Sequence, residues 1–349
     1  MRLLMNVSIF WKFFGLLLTV LIFNCSKQTN ENTTGEAATE SKLKIGLVLD
    51  RGGRDDKSFN AAAFKGASEA VKELGIELKD VESPNDNSFE PALRSLAERG
   101  HQLIIAVGFA QKEAVEKVAP QFPNTKFAII DAPIELPNVQ SRMFAEHEGS
   151  FMVGYLAGLA TKTNTIGFVG GMDIPLIRRF FVAYEAGAKA ANANVKVLEI
   201  YVGNTSEAWA NPSRAKELAL SQFNNKADII FTAAGASSMG VFDAAEEKKL
   251  YAIGVDSNQN WVKPGLILSS MLKRVDLAVY NIIKDMAVQK FSAGQSVMSL
   301  KDDGVGYAVD EYNEKLIAPY KVKLESIKAD IISGKIAVPD YYQTGNIKL

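Results

Sequence analysis

Cysteine occurs once in 349 residues, at position 25, so no disulfide can form within the chain. Histidine occurs twice, and His101 and His147 lack partners at metal-ligand spacing, so neither a metal nor another cofactor is expected. Neither sign of charge dominates: 39 Lys and Arg face 40 Asp and Glu, for a formal net charge of -1. Without a basic excess, an aromatic-studded basic patch or a helix-turn-helix segment, nucleic acid is not an expected partner.

Signatures of catalysis are missing too. There is no G-x-x-x-x-G-K-[ST] phosphate loop, no G-x-S-x-G elbow and no H-E-x-x-H pair, and "GFVGGMD" does not match G-x-G-x-x-G. "DRGGRDD" gathers Asp50, Asp55 and Asp56 as a metal-dependent hydrolase would. Arg51 and Arg54 interrupt that cluster, however, and no second one supplies further ligands. A binding protein rather than an enzyme is expected.

Only one long apolar run exists, Phe13 to Phe23, preceded by Arg2 and Lys12 and followed by Cys25. Residues 1–25 read as a signal peptide, too short for a comfortable membrane span. A sole cysteine at its end is expected to carry lipid, although Ile22, Phe23 and Asn24 depart from the small residues that usually precede such a cysteine. Residues 26–42, "SKQTNENTTGEAATESK", are polar and cannot bury enough surface to fold, so they read as a tether.

From Leu43 onward, apolar runs of strand length alternate with amphipathic segments of helical length. "KLKIGLVLD", "GIELKDVE", "QLIIAVGF" and "KFAIIDA" alternate with helices over about 58–74, 90–99 and 111–118. After the Gly-rich helix "EGSFMVGYLAGLATK", a second set runs "TIGFVGGM", "VKVLEIYVG", "ADIIFTAAG" and "LYAIGVDS", with helices over about 176–192, 212–223 and 238–248. "LILSSML", a helix over about 275–291 and "GVGYAVD" close the pattern. Such alternation predicts an α/β fold of two doubly wound parallel-sheet lobes joined by crossing strands. The expected N-terminal lobe is 43–145 plus 272–299, and the C-terminal lobe 146–271 plus 300–349. Crossings are expected near Phe144, Ser270 and Lys301.

In doubly wound sheets the ligand sits beyond the carboxyl ends of the strands. The residues so placed are Asp50, the loop through Phe59 and Asn60, Gly108 and Phe109, Asp131, Gly170 to Asp173, Phe231 to Gly235, Asp256 and Lys273. Three strand-terminal carboxylates, aromatic rings and a lysine around one space suit a flat, polar, hydroxyl-bearing ligand. Each has a plainer alternative: Asp50 and Asp56 as caps of the following helix, Phe59 and Phe231 as core. Phe180 is a second candidate for a stacking ring.

"DKSFNAAAFKG", "FAIIDA", "HEGSFMVGYLAGLATKT", "IGFVGGMDIPLI", "IIFTAAGASSMGVFDAA", "AIGVDSNQ" and "SSMLKRVDLAV" follow one another in an order that resembles the basic membrane protein family. The resemblance extends from about Leu43 to Tyr307. It implies a type I periplasmic-binding-protein-like fold and a membrane-anchored substrate-binding lipoprotein of an ABC transporter, capturing purine nucleosides such as inosine, adenosine or guanosine. Phe59 and Phe231 would then sandwich the purine, Asn60, Asp50 and Asp131 would contact the base, and Asp256 and Lys273 would engage the ribose, with Gly235 admitting a close backbone. The family's "AGGTG"-like loop is here "AGASS", with Ala236 and Ser237 as departures. The implied partners are permease subunits of the transporter and, through Cys25, the lipid bilayer of the cell envelope. Riboflavin or a sugar on the same fold, or cleavage of a nucleoside, are the alternatives.

Overall fold

The computed structural model describes residues 42–344; the signal-peptide, Cys25 and tether expectations fall on residues outside these, apart from Lys42. Along the chain come β1 (Lys44–Leu49), α1 (Phe59–Leu74), β2 (Glu77–Glu82), α2 (Phe89–Glu98), β3 (Leu103–Val107), α3 (Lys112–Val118), β4 (Lys126–Ile130) and β5 (Val139–Phe144). There follow α4 (Glu146–Ala160), β6 (Thr165–Met172), α5 (Pro175–Ala191), β7 (Lys196–Gly203), α6 (Pro212–Asn224), β8 (Ile229–Ala233), α7 (Ser238–Lys248), β9 (Tyr251–Asp256) and β10 (Ile267–Lys273). The chain ends with α8 (Val275–Ala287), β11 (Gly294–Met298), β12 (Val305–Tyr307), α9 (Glu314–Ile317), α10 (Lys321–Ile332) and α11 (Tyr341–Thr344).

Two six-stranded sheets form, ordered β11-β5-β4-β3-β1-β2 and β12-β10-β9-β8-β6-β7. The two windings are the same: in each, the first strand pairs with both the second and the third. They differ at one edge, where β11 joins β5 in parallel and β12 joins β10 antiparallel. Inner strands such as "LIIAV" of β3 and "IIFTA" of β8 are buried at every position, as a sheet covered on both faces requires. The edge strand β2, "ELKDVE", is only partly buried and polar on its open side.

The chain passes between lobes after Phe144, after Lys273 and between Met298 and Val305. Leu272 and Lys273 complete β10 of the second sheet, so the N-terminal lobe resumes only with α8, which packs on α1. Helices α4 and α5 lie nearly backbone to backbone: a Cβ at Gly154 would stand 2.1 Å from the Tyr184 carbonyl oxygen. That contact joins the middle of α4, which begins at one crossing, to the helix bearing Arg179.

Two departures from the sequence reading have physical causes. Strand β11, "GQSVM", is largely exposed and is held by backbone pairing to β5, so no apolar alternation marks it. The C-terminal helix α10 begins "KVKLE", whose strict alternation imitates a strand, although Leu324 and Ile331 bury a helical face.

Candidate functional site

Loops from the carboxyl ends of both sheets line a cleft. This is the expected crevice of doubly wound sheets. Asp50, Phe59, Asn60, Asp131, Gly235, Asp256 and Lys273 all line it. Phe231 does not. It is wholly buried beneath the sheet, 5.1 Å from the ring of Tyr184, 5.6 Å from Phe168 and 6.5 Å from Phe180. Phe231 is the middle residue of β8, and in a sheet covered on both faces its ring joins the core. The lining rings of the C-terminal lobe are Phe180 and Trp209 instead.

The loop after β1 is fixed largely by its own side chains. Asp56 accepts the backbone N–H groups of Ser58, Asn60 and Ala61 at 2.8, 2.9 and 3.0 Å, neutralising the free donors at the start of α1. Asn60 Oδ1 accepts from the Asp50 N–H at 2.9 Å, while its Nδ2 donates to the carbonyls of Asp50 and Arg51 at 3.2 and 3.1 Å. Its amide is thus committed to the loop, contrary to the expectation that it reads the base. Asp55 is exposed, so the "DRGGRDD" acids do not converge. Among the described residues no group of three His, Cys, Asp or Glu could hold a metal ion.

Asp50 keeps one oxygen on the Arg51 N–H at 2.7 Å; its other oxygen lies where a Cβ at residue 108 would stand, 2.2 Å away, so only Gly108 fits. Burial pushes the Asp50 carboxyl up to about 7. Asp131 and Asp256 follow the fourth strand of the first sheet and end that of the second. Both have left-handed backbone, φ 71° and 62°, a conformation that costs a non-glycine residue about 1–2 kcal/mol and clusters at functional sites. Asp131 Oδ1 is buried without a partner, and burial, partly offset by Lys273, pushes this carboxyl to about 7. Asp256 Oδ2 accepts from Ser58 Oγ at 2.6 Å, and burial pushes it up as well.

Lys273 is 2% exposed, with its ammonium 2.5 Å from Asp131 and 3.0 Å from Glu146. These two carboxylates hold it directly. The rings of Phe144, Phe59 and Phe180 stand 5.1, 5.2 and 5.8 Å from the same nitrogen. Burial lowers its basicity, but the neighbouring Asp131 and Glu146 raise it beyond the ordinary lysine value, so it stays charged.

Three rings keep partly open faces toward the cleft: Phe59 and Phe109 from the N-terminal lobe and Trp209 from the other. Phe109 and Trp209 meet edge to face at 6.4 Å. Trp209 rides on a short turn, Ser206–Ala210, pinned by Ser237, whose Oγ donates to the Ala208 carbonyl at 2.6 Å and accepts the Asn211 N–H at 2.7 Å. The departure at Ser237 therefore anchors a cleft wall. Cross-lobe hydrogen bonds complete the seam: Ser257 Oγ to the Ser58 carbonyl at 2.8 Å, Gln259 Nε2 to the Lys57 carbonyl at 3.0 Å, and Ser206 Oγ to Asp86 at 3.1 Å. Trp209 and Glu146 escaped the sequence reading. Trp209 lies beyond the end of β7 in the same sense as the other strand-end residues, which was the available signal; Glu146 carries none.

The family model for Bmp, described as ABC transporter substrate-binding protein PnrA-like, matches residues 42–341. The chain is 31% identical over 342 residues to the ABC transporter nucleoside-binding protein BmpA of Lactococcus lactis, covering 91% of this chain and 95% of the relative. It is 32% identical over 336 residues to basic membrane protein D of Borreliella burgdorferi, covering 94% and 95% respectively. A solved ABC transporter solute-binding protein from Aeropyrum pernix superposes with a TM-score of 0.78 at 30% identity, covering 87% of this chain and 95% of that one. With a match over nearly all of its described residues, and a type I periplasmic-binding-protein architecture around a polar cleft, the chain belongs to the Bmp family of PnrA-like ABC transporter substrate-binding proteins.

Proposed function

We propose that the cleft captures a purine nucleoside and presents it to a permease for uptake, the receptor being held at the membrane by lipid on Cys25. The observation that carries this reading is the pairing of open aromatic faces from opposite lobes with the buried Asp131 Oδ1, a carboxylate oxygen that lacks a protein donor. A purine offers two flat faces, each of which a ring covers at a gain of roughly 1–3 kcal/mol. Phe59 is the wall on one side, and Trp209 takes the role first assigned to Phe231. The vicinal hydroxyls of ribose and the N–H groups of the base are donors, and ionised carboxylates are their strongest acceptors. Asp256 and Lys273 serve the sugar, and Asp50 and Asp131 the base. The name of the Lactococcus relative as nucleoside-binding points the same way. No step of bond cleavage is assigned to any of these groups.

A thermal-shift panel tests the proposal, with inosine, adenosine, guanosine, hypoxanthine, ribose, galactose and riboflavin on the purified protein. A ligand at about 100 times its Kd stabilises by about 2.7 kcal/mol, enough to raise the melting point by several degrees. Nucleosides are expected to do so and galactose is not. Stabilisation by a sugar or riboflavin alone would overturn the nucleoside reading and leave the receptor fold standing.

A further inference from the structure

Behind the cleft, five charged side chains of alternating sign run from Asp131 to the C-terminal segment. Asp131 meets Lys273, and Lys273 meets Glu146 Oε1. Glu146 Oε2 accepts from Arg179 Nη1 at 2.6 Å, and Arg179 Nε and Nη2 donate to the two oxygens of Asp340, both at 2.8 Å. Arg179 Nη1 also donates to the Phe144 carbonyl at 2.6 Å, where the chain first leaves the N-terminal lobe. The Tyr342 ring lies 4.7 Å from the guanidinium carbon. None of the five is more than 8% exposed.

A buried row of charges is poor evidence of stability, because desolvation offsets much of the attraction. Its geometry supports a positioning role better. Lys273 has two carboxylates to choose between, and its place in the cleft depends on how firmly each is held. Burial pushes the Glu146 carboxyl up, but Lys273 and Arg179 more than offset this and keep it ionised. Arg179 can hold Glu146 in this way only while its own orientation is fixed. The bidentate grip of Asp340 fixes it, leaving Nη1 for Glu146 and the Phe144 carbonyl. His147 lies 3.9 Å from Asp340, yet burial pushes its imidazole down to about 4, so at neutral pH it adds no competing charge.

We propose that the C-terminal segment carrying Asp340 and Tyr342 is a positioning element of the ligand site: through Arg179 and Glu146 it holds the Lys273 ammonium at its place in the cleft. The choice of inosine as probe rests on the nucleoside reading; the positioning itself does not.

The test uses the full chain in detergent, with calorimetric titration of inosine and, separately, the rate at which trinitrobenzenesulfonate labels Lys273, mapped by mass spectrometry. Asp340→Asn is expected to weaken inosine about tenfold and to make Lys273 several-fold more reactive, while Asp340→Glu restores both. In a Lys273→Met background, Asp340→Asn should add less than about twofold, because the row is already cut. A general loss of stability would not give that non-additivity. Unchanged labelling in Asp340→Asn, or affinity losses that add in full, would overturn the proposal. Wild-type protein that ignores inosine sinks the nucleoside reading instead, and the labelling comparison still decides the positioning role. If Asp340→Asn shows no cooperative melt, Tyr342→Leu carries the same two measurements.

Discussion

Asp50→Asn separates the cost of a buried charge from its use. The carboxyl is 8% exposed, and burial moves it from 3.8 to about 7. Below about pH 4 the group is protonated both folded and unfolded, so it contributes nothing to pH dependence. As pH rises, the unfolded chain gives up its proton first, and the folded state loses stability until both forms are ionised near pH 7. The sign is therefore opposite to that of a salt-bridged acid. At 1.36 kcal/mol per pK unit the full gap is worth at most about 4 kcal/mol, and local relaxation reduces it. Asparagine has the same shape, can still accept the Arg51 N–H and carries no charge to desolvate. At pH 8 the ligand-free variant should therefore be more stable than wild type by about 1–3 kcal/mol, a rise in melting point of several degrees. At pH 4 the two should melt together. Inosine affinity at pH 8 should fall by about tenfold or more, because charge-assisted acceptors contribute roughly 1.5–3 kcal/mol. Melting scans at both pH values, with calorimetry at pH 8, give the answer. An equal gain at pH 4 and pH 8 would refute the assignment of the cost to a desolvated charge.

Phe59→Ala and Trp209→Ala should each weaken inosine by about one to two orders of magnitude, since stacking contributes roughly 1–3 kcal/mol per base. Phe231→Leu should leave calorimetric affinity within about twofold, because the ring touches other buried side chains and not the cleft; a large loss would return Phe231 to the binding wall. Asp256→Asn should weaken inosine strongly and hypoxanthine little, and equal losses for both would show that Asp256 does not serve the ribose. Cys25→Ser should move the protein from the detergent phase to the aqueous phase on partitioning, and unchanged partitioning would refute lipidation.

Most of the fold was legible because buried parallel strands leave an unmistakable trace: runs such as "IGLVL" and "LIIAV" admit no polar residue. The carboxyl ends of those strands then marked the cleft, and seven of the eight residues given ligand roles through the family resemblance line it, whereas Gly170 to Asp173, also named as strand ends, do not. Failure at Phe231 has a definite cause. β8 runs on to Ala233, so Phe231 sits inside the strand rather than at its end, and its ring belongs to the core. Asn60 failed differently, for a loop amide can spend its hydrogen bonds on its own backbone, and only coordinates show that it does. Glu146, Arg179 and Asp340 had no local signal at all. Arg179 and Asp340 stand 161 residues apart and meet only because β5, α4 and α5 bring one crossing beside the C-terminal segment.

Besides the Asp131–Lys273 pair, the seam between the lobes is tied by hydroxyl and amide donors to backbone carbonyls and carboxylates, with one edge-on ring contact at the mouth. When such a seam parts, these groups find water, and each bond lost costs about 1 kcal/mol net, or roughly 1.5–3 kcal/mol where a carboxylate accepts. A greasy seam would behave otherwise, turning outward a broad face that invites a neighbour. On the proposed lipid anchor, receptors side by side would meet one another at high local concentration. A polar seam, were it to part, would offer a neighbour little to adhere to.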